Sequence, residues 1–132
     1  MRFINKKITL GVLCICAIIF ICLLINENTG LRAFEKEVIN IEIPQNIEKI
    51  AMKSGIGDSG GNGDYSTYRV VLVVKTTLSI DELKQEFADV NNCYITKCKN
   101  NVFESELHFK LEFDELEKIE DFSNYYFIEF IK

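Results

Sequence analysis

The sequence contains no tryptophan, one proline and one histidine. A lone histidine, His108, leaves little from which to assemble zinc, which takes three or four His, Cys or carboxylate ligands. The single proline, Pro44, marks the end of an alternating apolar stretch, where a missing N–H costs a strand ladder nothing. The lack of tryptophan, beside an abundance of Ile, Asn, Lys and Glu, fits an AT-rich bacterial genome. No acidic residue occurs before Glu27, and Arg2, Lys6 and Lys7 are the only charges there. After Ile25 the balance reverses to 12 basic against 20 acidic residues, a net charge of −8. Such a surface repels phosphate backbones and anionic lipid heads, which excludes nucleic-acid partners and electrostatic recruitment to a membrane.

A membrane is reached by other means. Ile8 to Ile25, ITLGVLCICAIIFICLLI, carries no charge. As a helix this run spans about 27 Å, close to the ~30 Å hydrocarbon core of a bilayer. A cleaved secretory peptide needs small residues at its cleavage site, and the run is followed by Leu23-Leu24-Ile25-Asn26-Glu27-Asn28. None of Cys14, Cys16 and Cys22 has the small residues before it that a lipid-modified cysteine requires. The expectation is an uncleaved, single-pass anchor at residues 8–25. The basic residues 1–7 hold the N-terminus in the cytoplasm. Residues 26–46 are read as a juxtamembrane stalk and a first strand, and residues 47–132 as an extracytoplasmic domain.

Within that part, Phe34 and Val38 have helical spacing, while Ile39, Ile41 and Ile43 alternate with polar residues and predict a strand at Val38–Ile43. Glu48–Lys53 alternates more faintly. Ser54–Tyr65 holds five glycines and reads as an exposed loop. Thr67–Lys75, TYRVVLVVK, has the near-continuous apolar character of a central strand. Ser79 and Glu82 spell a capping box for a helix with the stripe Ile80, Leu83, Phe87 and Val90. Strands follow at Cys93–Cys98 and Ser105–Phe113, a second helix with Leu116, Ile119 and Phe122 after Asp114, and a closing strand at Tyr125–Ile131. Five residues of extended chain separate Cys93 from Cys98 and put them on opposite faces, so no disulfide joins them.

From Thr67 the expected class is α+β. The order is strand, helix, strand, strand, helix, strand, which resembles the split β-α-β order of ferredoxin-like sandwiches, with an extra N-terminal strand and two helices on one face of an antiparallel sheet. That order conflicts with pairing of Glu48–Lys53 onto Thr67–Lys75 through the Gly-rich loop, unless the former takes a sheet edge.

Several constellations suggest chemistry. Gly57-Asp58-Ser59-Gly60-Gly61 spells the nucleophile motif of chymotrypsin-like proteases, but those need a His and an Asp earlier in the chain, and His108 comes after Ser59. Asp58, Asn62 and Asp64 echo a calcium loop and are the candidate metal ligands. The third and twelfth EF-hand positions, however, hold Gly60 and Arg69. His108 lies between Glu106 and Lys110 on a polar strand face. No catalytic set is complete and no cofactor is implied. Val71, Val73, Tyr125, Phe127 and Ile131 are expected to share the sheet face away from the helices. They form an apolar patch covered by the chain's own Leu31–Ile43 segment, by a second copy or by a partner. The reading is a membrane-anchored envelope domain engaged in protein–protein interaction or self-association. The alternatives are an enzyme or a ligand- or metal-dependent module using residues 54–65, or a small immunity or accessory protein.

Overall fold

The computed structural model describes residues 2–58, 66–105 and 109–132. Its first element is one unbroken helix, α1 (Arg2–Ile39), long and apolar enough to cross a membrane. The helix does not stop where the apolar run does. Thr29, beyond that run, folds its hydroxyl back onto the Ile25 carbonyl at 2.7 Å, and five residues further the helix enters the domain with Phe34 and Val38 buried.

The rest is an α+β arrangement of β1 (Glu48–Asp58), β2 (Ser66–Lys75), α2 (Ile80–Glu86), β3 (Cys93–Lys97), β4 (Val102–Glu104), β5 (Lys110–Glu112) and β6 (Tyr125–Ile131), with a 3-10 turn at Asp114–Leu116. The main sheet is antiparallel with strand order β1-β2-β6-β3, and β4 and β5 form a separate hairpin. Side-chain alternation gives the sheet two apolar faces. Val70, Leu72, Val74, Tyr126, Ile128 and Phe130 meet Phe34, Val38, Leu83 and Phe87 from the two helices. Val71, Val73, Tyr125 and Phe127 meet Phe103, Phe113 and Leu116 on the other side. Strands buried on both faces need apolar residues at nearly every position, which is what TYRVVLVVK and YYFIEFI provide.

Four local expectations are corrected. No strand forms at Val38–Ile43: the helix runs to Ile39, and Ile41 and Ile43 pack on the core from irregular chain. The i, i+4 spacing of Phe34 and Val38 prevails over the alternation because both reach the sheet from one helical face. Ser54–Asp58 is strand rather than loop, paired from Ser54↔Val70 to Asp58↔Ser66. The glycines there make room: a Cβ on Gly55 would lie 2.9 Å from the Phe109 ring, and one on Gly57 would lie 2.9 Å from Arg69 Nε. Of the described residues in Ser105–Phe113, Lys110–Glu112 form β5 of a small hairpin. The slot between β2 and β3 that the ferredoxin-like order assigns to it is filled by β6. With that slot taken, β1 pairs along the outer side of β2 as a sheet edge. The second helix reduces to one turn because Leu116, Ile119 and Phe122 recur every three residues. The backbone follows with tight i+3 bonds, Leu116 to Phe113, Ile119 to Leu116 and Tyr125 to Phe122.

By contrast α2 starts as its capping box requires, with Ser79 and Glu82 exchanging backbone and side-chain hydrogen bonds. It ends at Glu86, with Phe87 as its C-cap. Val90 joins the core from the turn that follows, its N–H on the Phe87 carbonyl.

Candidate functional site

Two charges of opposite sign sit inside the two most apolar strands, Arg69 in β2 and Glu129 in β6. The register Arg69↔Ile131 and Val71↔Glu129 puts them diagonally opposite on one face. Their side chains are 4% and 8% exposed and form a hydrogen-bonded ion pair. Burial of a charge is costly without such a partner. The Arg69 guanidinium lies 5.4 Å from the centre of the Phe109 ring, and its Nε is packed against Gly57 with no hydrogen-bond partner.

The pair borders a cavity of about 380 Å³ formed where the β4–β5 hairpin stops covering the sheet. Arg69, Glu129 and Ile131 line its floor, Tyr94 and Thr96 of β3 one wall, and Glu104 and Ser105 another. Lys110 Nζ lies 3.3 Å from Glu104, so the charges around the cavity come in opposed pairs. The Ser105 hydroxyl is buried and unpartnered. It can donate to or accept from a polar group brought into the cavity. A larger hollow of about 450 Å³ beside Lys118–Tyr125 is lined mainly by exposed loop residues and carries no buried charge.

The cavity opens beside the β3 edge of the sheet, which no other strand pairs among the described residues. Ile131 N–H donates to Asn92 O, and Cys98 N–H donates to Tyr125 O. These bonds fix the alternation: Asn92, Tyr94, Thr96 and Cys98 turn their backbone groups toward β6, and Cys93, Ile95 and Lys97 turn theirs outward. Tyr94, 55% exposed, stands over this edge. The opposite edge, β1, is flanked on both sides. Ser54 hydrogen-bonds Glu35 of α1, and Lys53 Nζ reaches Glu112 O at 2.5 Å.

The residues singled out from sequence distribute differently. Ser59, Asn62 and Asp64 lie outside the described residues, as do Glu106 and His108. Asp58 ends β1. Among the described residues no group of His, Cys, Asp and Glu is arranged to hold a metal. Val71, Val73, Tyr125 and Phe127 share one face, buried beneath the 98–122 segment, and Ile131 is half-buried at the cavity. The expected cover by Leu31–Ile43 goes to the other face. Cys93 and Cys98 are free thiols on opposite faces. Burial pushes them up to about 11 and about 12 respectively, so both are poor nucleophiles at neutral pH. Sequence reasoning missed Arg69 and Glu129 as a pair, although one charge inside each of two otherwise apolar strands was the available signal. Compared with models of known protein families, with curated proteins and with solved structures, the chain matches none.

Proposed function

We propose that this chain is a single-pass anchored domain of the bacterial cell envelope that holds an extended segment of another envelope protein along the outer edge of β3. The basic flank of Arg2, Lys6 and Lys7 favours an N-terminus in the cytoplasm and a domain outside. The observation that carries the reading is the β3 edge: three residues with outward backbone groups lie beside a cavity lined by a buried ion pair and an unpartnered hydroxyl. An added strand takes its affinity from such main-chain groups and its specificity from pockets for alternate side chains.

A second copy of the same chain fits this edge poorly. Two chains anchored in one membrane point their β3 strands the same way, and a twofold axis would relate the strands in parallel. A parallel ladder is staggered, with one strand's outward residue bonding two neighbours on the other, so two identical strands cannot satisfy each other across a strict twofold.

The test is a photocrosslinking amino acid at Tyr94 in cells, beside the same group at Lys49 on β1. A discrete heterologous adduct at Tyr94 and not at Lys49 is expected. Lys97→Pro should abolish it while the melting temperature stays, because it removes an outward N–H and leaves the ladder to β6 intact. Homodimers alone, or identical adducts at both positions, would refute the reading.

A further inference from the structure

Two contacts set how high the folded domain stands above the end of the apolar span. Gly30 of α1 lies against the Tyr68 side chain, so closely that any Cβ there would overlap the ring. One and a half turns further along, Glu35 meets Ser54, which pairs with Val70. Tyr68 pairs with Ile56, so five helical residues, about 7.5 Å, match two strand residues, about 7 Å. Helix and strands therefore run nearly side by side. While α1 climbs away from Ile25, β1 descends toward it.

From these levels we infer that the end of the sheet carrying Ile56 rests in the phospholipid headgroup layer of the bilayer that α1 crosses. The inference rests on reading α1 as a membrane anchor. Ile25 ends the apolar run, and Gly30 stands about 7.5 Å beyond it. The headgroup region on each side of a bilayer is about 5–8 Å deep. Ile56 is level with Gly30, and β1 continues two residues closer to the membrane before it ends at Asp58. Among the described residues outside the span, Ile56 is one of three large apolar side chains that remain exposed, at 37%, and at the level of Gly30 it reaches the headgroup layer. The contact is with the surface as such. A domain of net charge −8 gains nothing from anionic lipid, so zwitterionic phosphatidylcholine suffices.

The absence of tryptophan makes the test direct. Full-length chains carrying Ile56→Trp, Glu48→Trp or Ile19→Trp are reconstituted into phosphatidylcholine vesicles and exposed to headgroup spin-labelled or acyl-brominated lipid. Glu48, eight strand residues from Ile56, stands roughly 26 Å higher. Headgroup spin labels should quench the Ile56→Trp indole and spare Glu48→Trp, and acyl bromines should quench Ile19→Trp. Loss of the Ile19→Trp signal change would overturn the anchor itself. With that signal intact, equal quenching at positions 56 and 48 would overturn the apposition alone. If Ile56→Trp melts below the parent, the Ile56 δ-methyl resonance of the unsubstituted chain in nanodiscs replaces it. Broadening by the headgroup label at Ile56 and not at Ile47 supports the inference, and equal broadening refutes it.

Discussion

Replacing Glu129 with leucine should be among the most damaging single changes in the domain. The substitution leaves the Arg69 guanidinium charged and 4% exposed, with Nε already unpartnered and an aromatic ring as its remaining neighbour. Breaking a buried pair in this way costs about 3–5 kcal/mol, because the surviving charge is left without compensation. For a domain near a hundred residues each kcal/mol lowers the melting temperature by about 4–8 °C, so a fall of at least ~12 °C is expected. The double variant Arg69→Met/Glu129→Leu removes both charges with side chains of similar volume and should return to within about 1 kcal/mol of the parent. Tyrosine near-ultraviolet circular dichroism of the full chain in detergent follows the domain without interference from the apolar helix. A Glu129→Leu loss under about 1 kcal/mol would show that water reaches the pair. Additive losses in the double variant would show that the two residues act separately. Either result would refute the account of the site.

Gly30→Ala should destabilise, although alanine is the better helix former by about 1 kcal/mol, because its methyl falls on the Tyr68 ring; a thermal melt at or above the parent value would refute this contact. Ser79→Ala should lower stability by about 1 kcal/mol in urea unfolding, through loss of the hydroxyl that accepts from Glu82 N–H at 3.3 Å. Cys98 and Cys93 should resist iodoacetamide in the folded domain at pH 8 and react once it is unfolded in urea. Because folding raises both thiol pKa values, the folded state holds these protons more tightly. Their stabilisation is complete below pH 9 and drains away as the pH climbs through about 11 and about 12, which alkaline melts of the parent and Cys98→Ala would compare.

What the sequence made legible were features whose signal is local. The apolar run at 8–25 and the box at Ser79–Glu82 each lie within a few turns of chain, and the structure carries both. The facing of β2 and β6 was also readable, because alternation in TYRVVLVVK and YYFIEFI needs only a period of two. Illegible were choices decided by distant partners. Gly55 and Gly57 look like loop residues until Phe109 and Arg69 are seen lying across them. Strand character at 105–113 gave no hint that β6 would take the central slot, since both segments alternate and only competition for β2 separates them. The cavity was hidden for the same reason: Arg69 and Glu129 are 60 residues apart, and their opposition exists only in the assembled register.

The position of β6 governs the order in which this domain comes into being. Residues 125–131 are the last strand along the chain, yet they lie between β2 and β3 and join the two. As synthesis proceeds from the N-terminus, the nascent chain has the β1–β2 and β4–β5 hairpins and a short helix to offer, and β3 has no strand to pair with. Both apolar layers are split by the same gap, since Ile128 and Phe130 belong to one and Tyr125 and Phe127 to the other. Cooperative folding therefore waits for the final strand to emerge. Any truncation before Tyr125 leaves an unfinished sheet with β2 bare along one side.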